Sequence, residues 1–197
     1  MQWILIKTWV GREEELAEEI KRILPPYCYQ ECFVIYQERI WRKQQRNIIH
    51  REKLFPGYVF LTCDSGAWLS GEISDKLSMT TSLLCKDATI FSMIEEDAAF
   101  LKKLSGDEHS VKLSYVLKDD KGNVCRLSEP LCICQGEIER IQFKKRYAMV
   151  RRKLWGEEQV IVLGIVLKED AGQKLLPEED KEIWKDFLME DLTKEMA

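Results

Sequence analysis

Apolar and polar residues alternate in blocks along the first part of the chain. Residues 3–6 form a short apolar run of β type, and residues 16–24 then carry apolar side chains at helical spacing. Two consecutive prolines end that helix, because proline lacks the backbone N–H that a helix interior needs. Residues 32–36 are apolar again and indicate a second, mostly buried strand. The opening pattern is therefore strand, helix, strand.

A polar and basic segment follows at residues 39–53, which is typical of a long exposed hairpin. It leads through a Pro-Gly turn into a strand over residues 58–61. A short helix is predicted around residues 67–69. A longer helix is predicted over residues 92–104, because this segment combines an apolar stripe with the Ser-x-x-Glu spacing of a capping box.

The pattern changes after residue 104. Two clusters of turn-forming residues predict a linker over residues 105–121, and the alternation that follows predicts a small β-barrel over residues 122–170. The predicted strands of this barrel are 124–127, 131–134, 137–141, 147–152 and 159–167. Residues 171–197 return to helical spacing and predict an acidic, amphipathic helical tail. The expected organisation is an α/β domain over residues 1–104, the linker, the barrel and the tail.

The composition is that of an ordinary globular protein, since 45% of the 197 residues are hydrophobic and 32% are charged. No apolar run approaches the ~20 residues that cross a bilayer. The first residues also lack the basic region of a secretory signal. Seven cysteines without an export signal favour reduced thiols. We therefore expect a cytoplasmic protein.

Candidate catalytic residues are few. The chain has two histidines, and it contains no Gly-x-Ser-x-Gly, P-loop or dinucleotide-binding fingerprint. Cys132 and Cys134 are separated by one residue, which is not the Cys-x-x-Cys spacing of zinc ligands. Alternation on a strand would instead place both thiols on one face. We therefore expect neither enzymatic activity nor a metal or other cofactor.

The net charge of −4 is unevenly distributed along the chain. Residues 171–197 hold four lysines against eight acids, so the rest of the chain balances. Residues 140–153 hold seven basic residues and no acid, interleaved with Phe143 and Tyr147. Positive charge follows phosphate and aromatic faces stack on bases, which favours an RNA-binding surface here. The candidate contacts are Arg140, Lys144, Lys145, Arg146, Arg151, Arg152 and Lys153. A solvated hairpin with inward-turned rings is the alternative.

Two motifs stand out in the N-terminal part of the chain: Trp3-Ile4-Leu5-Ile6-x-x-Trp9-x-Gly11 and Leu54-Phe55-Pro56-Gly57-Tyr58-Val59-Phe60. The predicted barrel contributes Glu129-Pro130-Leu131, Gly136-Glu137-Ile138 and Ala148-Met149-Val150. Together these residues resemble the NusG-type transcription elongation factors. The resemblance covers about residues 1–170. It implies an α+β fold: an NGN-like N-terminal α/β sandwich of antiparallel sheet and helices, then a small KOW-type SH3-like β-barrel. The C-terminal helix lies outside the matched pattern.

The resemblance also implies partners. The N-terminal domain of such a factor binds the clamp of transcribing RNA polymerase through an apolar patch beside the Phe-Pro-Gly-Tyr strand. Carried over by motif, the polymerase-binding residues are Trp9, Phe55, Pro56, Gly57, Tyr58 and Phe60. Core packing is the alternative role of each aromatic residue. RNA and non-template DNA are the expected nucleic-acid partners, and the protein is expected to act as a monomer without membrane association.

One departure from the family pattern favours a specialised paralogue. Glu129-Pro130-Leu131 stands where housekeeping members usually have Gly-Pro before an aromatic residue or leucine. The dense basic hairpin is similar to that of the LoaP-type antiterminators, whose barrel recognises an RNA hairpin. The expected function is therefore processive transcription of selected operons. Two alternatives stay open: a housekeeping NusG-like factor that couples polymerase to the ribosome or Rho, and an RNA-binding KOW module of the translation apparatus.

Overall fold

The computed structural model describes residues 1–43, 46–64, 66, 71–77 and 90–170. The chain divides into two compact units. Unit 1 comprises Met1–Tyr36, Lys53–Ser110 and Lys153–Glu158, and unit 2 comprises Gln37–Glu52, Val111–Arg152 and the described residues from Gln159 onward. The predicted helix at 67–69 and the predicted tail at 171–197 fall outside the described residues.

Twelve strands, three α-helices and three 3-10 turns make up the elements of the described residues. The strands are β1 (Gln2–Lys7), β2 (Glu31–Phe33), β3 (Tyr36–Lys43), β4 (Arg46–Lys53), β5 (Tyr58–Cys63), β6 (Ile90–Ser92), β7 (Ser110–Val111), β8 (Ser114–Lys118), β9 (Val124–Leu127), β10 (Ile138–Gln142), β11 (Tyr147–Leu154) and β12 (Glu157–Leu167). The helices are α1 (Glu13–Ile23), α2 (Glu72–Leu77) and α3 (Glu95–Ser105), and the 3-10 turns are Leu131–Glu137, Phe143–Lys145 and Lys168–Asp170. No helix within the described ranges is long and apolar enough to cross a membrane.

Unit 1 is built on an antiparallel sheet in the order β2-β5-β1-β6. The central strand β1 is apolar on both faces because both faces are covered. On one face Ile4 and Ile6 pack with the buried side of α1. On the other face Trp3 lies edge-on to Phe33, with ring centroids 5.3 Å apart. The expected α/β arrangement of this region is confirmed.

Helix α1 begins with three glutamates and ends with a lysine and an arginine, which suits the helix dipole. It ends at Ile23, because the residue before a proline is disfavoured in the helical region and Leu24 is extended. Helix α3 begins at Glu95 rather than Ser92. Ser92 is paired with Ile4 in the sheet, so the predicted capping box does not form.

Unit 2 contains the predicted basic hairpin, formed by β3 and β4 and joined by β7 in a three-stranded sheet. A five-stranded sheet has the order β10-β11-β12-β8-β9, in which β12 and β8 are parallel. A buried cluster fills this unit, and its members are Ile40, Leu113, Tyr115, Leu117 and Val166. The chain is therefore α+β overall, with a small β domain in its second half.

The structure differs from the sequence expectation at three places in this region. Residues 105–121 are not a simple linker, because β7 and β8 lie within them and bury their apolar side chains. Residues 131–134 lie in a 3-10 turn rather than a strand. Leu131 and Cys134 are both buried, and they lie on the same side of the turn because a 3-10 helix has three residues per turn. Residues 37–52 group with unit 2, so the N-terminal unit is not the continuous stretch 1–104.

Candidate functional site

The Phe-Pro-Gly-Tyr segment of unit 1 forms a tight turn between the hairpin and β5. Tyr58 donates its backbone N–H to the carbonyl of Phe55 at 3.3 Å. Gly57 has a φ of 86°, the left-handed conformation that the third position of such a turn requires and that favours glycine. The carbonyl of Gly57 accepts the N–H of Thr8 at 2.8 Å, so the turn is joined to the end of β1.

A buried carboxylate holds this turn in place. The side chain of Glu13 is 0% exposed. Its Oε1 accepts the N–H of Gly57 at 2.6 Å, while its Oε2 accepts the N–H of Gly11 at 2.8 Å and the ammonium of Lys53 at 2.6 Å. Burial alone would raise the pKa of Glu13, but the hydrogen bonds from Lys53, Gly57 and Gly11 outweigh burial and lower it. Glu13 is therefore ionised at neutral pH and fixes three chain segments together.

The predicted polymerase-binding residues divide into exposed and buried groups. Trp9 is 51% exposed, Pro56 is exposed and Tyr58 is half-buried. Gly57 is buried within the turn. The neighbouring Val10 is also 75% exposed, so the segment between β1 and α1 presents two large apolar side chains to solvent. We call Trp9, Val10, Pro56 and Tyr58 the aromatic surface.

The other two predicted residues pack inward. Phe60 is 0% exposed and stacks on Phe33 with centroids 5.8 Å apart, so it belongs to the core. Phe55 is 6% exposed and lies between Phe60 and Trp155, at centroid distances of 6.2 and 5.2 Å. The structure therefore gives Phe60 and Phe55 a supporting role beneath the turn.

Trp155 is part of this site although the sequence pattern gave no sign of it. It occupies a two-residue turn between β11 and β12 with Gly156, and both residues have positive φ, as type I′ hairpins require. Such a φ, here 41°, is rare for a bulky side chain. The backbone N–H of Trp155 donates to Asp97 Oδ2 at 2.7 Å, and the indole ring centroid lies 5.3 Å from that of Tyr58. Trp155 thus covers part of Tyr58.

The basic residues predicted to bind nucleic acid do not form one uniform surface. Three of them are paired with carboxylates that lie outside the window 140–153. Arg146 makes a bidentate contact with Asp170 at 2.7 and 2.9 Å and also contacts Glu169. The exposed Arg151 pairs with Glu139, and the half-buried Arg152 pairs with Glu137.

The pairing of Arg146 is structural. Its side chain is 18% exposed, and it adopts the left-handed region with a φ of 54° at the end of the turn Phe143–Lys145. Burial would lower the pKa of Arg146, but the hydrogen bonds from its guanidinium to Asp170 raise it. Asp170 also accepts the N–H of Leu167 at 2.8 Å. Through Asp170, Arg146 therefore links the turn Phe143–Lys145 to the end of β12.

Three lysines and one arginine remain. Lys144 and Lys145 are exposed on the 3-10 turn, and no carboxylate of the described residues pairs with either. Arg140 is exposed on β10, near the side-chain amide of Gln142. Lys153 is exposed but groups with unit 1. Among the predicted residues of unit 2, Arg140, Lys144 and Lys145 are therefore exposed without a carboxylate partner in the part of the chain that the structure describes, and Lys144 and Lys145 are adjacent on one turn.

A groove of about 850 Å³ in unit 2 is lined by this basic turn and by the β3–β4 hairpin. The guanidinium of Arg39, one of its lining residues, lies 5.2 Å from the ring centroid of Tyr147 and bonds Glu52 at 2.8 Å. The two basic segments found separately in the sequence therefore line the same groove. Their lining residues are Arg39, Ile40, Trp41, Asn47, Lys144, Lys145, Arg146, Tyr147, Glu169 and Asp170.

The described residues contain no cluster of three metal-ligating side chains. Cys134 is buried, and burial raises the pKa of its thiol to about 11. Cys132 is half-buried and Cys125 exposed. The neutral thiol of Cys134 is a poor metal ligand, because the thiolate is the form that binds metals.

Comparison with known proteins finds one family model that matches the N-terminal residues. Residues 1–97 match the family model described as NusG, transcription termination factor nusG. The structure described as "Domain interaction in Thermotoga maritima NusG" is 17% identical, covers 83% of this chain and 93% of its own, and superposes with a TM-score of 0.39. No curated protein matches the chain in sequence. Residues 1–97 are therefore similar to the NusG family, while the similarity to LoaP-type paralogues stays a prediction.

Proposed function

We propose that the protein is a transcription elongation and antitermination factor that binds RNA polymerase through unit 1 and RNA through unit 2. The observation that carries the proposal is the NusG-family match of residues 1–97, which spans the turn that Glu13 holds and the aromatic surface around it. The protein acts by binding, without covalent chemistry and without a cofactor. It works in the cytoplasm as a monomer on transcribing polymerase.

The aromatic surface is suited to a helical partner such as the polymerase clamp helices. Binding hot spots are enriched in tryptophan and tyrosine, and an amphipathic helix docks on exposed apolar anchors. Trp9 and Val10 supply exposed apolar area, and Tyr58 adds an aromatic ring with a polar end. Because Glu13 fixes the turn, little conformational entropy is lost when a partner binds. Contact with the clamp keeps it closed and so disfavours pausing and release.

The basic turn is suited to phosphate. Lys144 and Lys145 are exposed without a carboxylate partner among the described residues, so they are available to neutralise two phosphates. The pairing of Arg146 with Asp170 fixes the backbone that carries them. An RNA hairpin bound here recruits the factor to the operons that encode such a hairpin.

Pull-down of core RNA polymerase with the full chain tests the polymerase contact. Tyr58→Asp places a charge in the aromatic surface, and we expect it to abolish binding. Tyr27→Asp is the matched control, because Tyr27 is a 76% exposed tyrosine of the same unit. Undiminished binding by folded Tyr58→Asp protein, or equal loss in both variants, contradicts the proposed surface.

A further inference from the structure

The groove of unit 2 contains an aromatic platform that the basic turn alone does not explain. Trp41 on β3 is 52% exposed, although tryptophan is usually well buried. One face of its indole stacks on the imidazole of His50, with ring centroids 4.1 Å apart and planes 29° apart. His50 therefore orients the indole, while half of the Trp41 surface stays open to solvent. A further flat ring added to this pair would extend an existing stack.

The aromatic platform of Trp41 and the two exposed lysines, Lys144 and Lys145, line the same groove. Trp41 comes from the β3–β4 hairpin, and Lys144 and Lys145 come from the 3-10 turn. A nucleotide is a ligand that uses an aromatic face and ammonium groups together, because its base stacks on the aromatic ring and its phosphate pairs with the ammonium groups. The volume of about 850 Å³ lies within the range of small-ligand sites.

From this arrangement we propose that the groove binds unpaired nucleotides, with a base stacked on Trp41 and the flanking phosphates on Lys144 and Lys145. This rests on the proposed nucleic-acid binding of unit 2 and adds which part of the nucleic acid is read. The base is unpaired because, inside a duplex, neighbouring base pairs cover both faces of each base. A side chain can stack only on bases that are splayed out in loops, bulges or single strands.

The charge of the groove argues against a protein occupant. Cores of protein interfaces are depleted of lysine and of acidic residues. This groove is lined by two lysines and two arginines, together with Glu169 and Asp170. Arg39 and Arg146 are already paired with carboxylates, so the two lysines are left to meet an anionic chain.

Fluorescence anisotropy with labelled oligonucleotides tests the proposal on the full chain. The probes are an RNA hairpin with an unpaired loop, a fully paired RNA duplex, and single-stranded RNA and DNA of the loop sequence. Trp41→Ala should weaken binding to the probes with unpaired bases by about 5- to 150-fold for one stacked base, and leave duplex binding unchanged. Trp41→Tyr should retain most of the affinity. The ranking of the RNA and DNA strands identifies which nucleic acid the groove prefers.

An abasic probe identifies the contact itself. Removing the base that stacks on Trp41 should weaken wild-type binding by the same factor as Trp41→Ala, and should not weaken the Trp41→Ala protein further. Ile48→Ala is the matched control, since Ile48 is a 47% exposed apolar residue of the same hairpin. Equal loss of duplex and single-strand binding in Trp41→Ala, or additive losses in the abasic cycle, would overturn the proposal.

Failure of this inference can be told apart from failure of the proposed function. If Lys144→Glu with Lys145→Glu abolishes RNA binding but Trp41→Ala binds every probe as the wild type does, the basic turn binds RNA and the platform is not used. If the wild-type protein binds no probe at low salt, nucleic-acid binding by unit 2 is itself wrong.

Discussion

Substitution of Glu13 tests whether this buried carboxylate stabilises the fold more than the exposed glutamates in the first turn of α1 do. Glu13→Gln keeps the shape of the side chain but removes its charge and one of its two acceptor oxygens. In the native protein the two oxygens accept from the N–H of Gly57, the N–H of Gly11 and the ammonium of Lys53. The amide group of glutamine would face one of these donors. At least one of the two backbone N–H groups would then lose its carboxylate acceptor, and Lys53 would keep only Glu14 as a charged partner.

The expected cost follows from the hydrogen bonds that are lost. A hydrogen bond to a charged group contributes about 1.5–3 kcal/mol, and breaking a buried ion pair by removing one partner costs about 3–5 kcal/mol. Glu13 is fully buried, so solvent does not screen the loss. We expect Glu13→Gln to lower the free energy of unfolding by about 3–5 kcal/mol. Glu15→Gln in the same turn of α1 should have little effect, because Glu15 is exposed.

The stabilisation by Glu13 should also depend on pH, because only the ionised carboxylate makes these contacts. The pKa of Glu13 in the folded protein is lowered, so its contribution to stability is present above the unfolded value of about 4.3 and is lost as the pH falls through the folded value. Urea unfolding at a series of pH values should show the difference between wild type and Glu13→Gln shrinking below about pH 4. A difference under about 1 kcal/mol at pH 7, or one that does not change with pH, would refute the reasoning.

Three further predictions test which aromatic residues stabilise the fold, which charges bind RNA, and whether Trp155 shields Tyr58. Phe60→Ala should destabilise the fold by about 3–5 kcal/mol because Phe60 is fully buried, while Trp9→Ala should leave thermal stability nearly unchanged and weaken polymerase binding. Lys144→Ala with Lys145→Ala should make the log–log dependence of RNA affinity on salt shallower by about 1.5–2, as titrations at several salt concentrations will show. Trp155→Ala should uncover Tyr58 and tighten polymerase binding in a titration; weaker binding would make Trp155 part of the contact surface.

The local pattern of the sequence predicts the first unit well, because its elements bury continuous apolar faces. The run at residues 3–6 becomes β1, and the stripe at residues 16–24 becomes α1. In unit 2, the basic hairpin predicted at residues 39–53 is present as β3 and β4. Failures arise where a short apolar run is compatible with more than one element, as at residues 131–134, or where strand pairing competes with a helix cap, as at Ser92.

The candidate site was harder to predict, because its decisive contacts join residues distant in sequence. Glu13 is one of three consecutive glutamates, and nothing in the sequence distinguishes the one that reaches Gly57. Trp155 lies far along the chain from Tyr58, and its glycine neighbour predicts only a turn. The charges of residues 140–153 suggested seven available cations, but carboxylates from outside that window pair with three of them.

Site-directed photo-crosslinking tests the central claim most directly. A photoreactive phenylalanine analogue at Trp9 of the full chain, mixed with core RNA polymerase and illuminated, should crosslink to the clamp helices, because Trp9 is an exposed anchor of the aromatic surface. The same analogue at Tyr27, which is also exposed, should give no such product. Crosslinking from Tyr27 but not from Trp9, or from neither in a mixture where the two proteins still co-purify, would contradict the account.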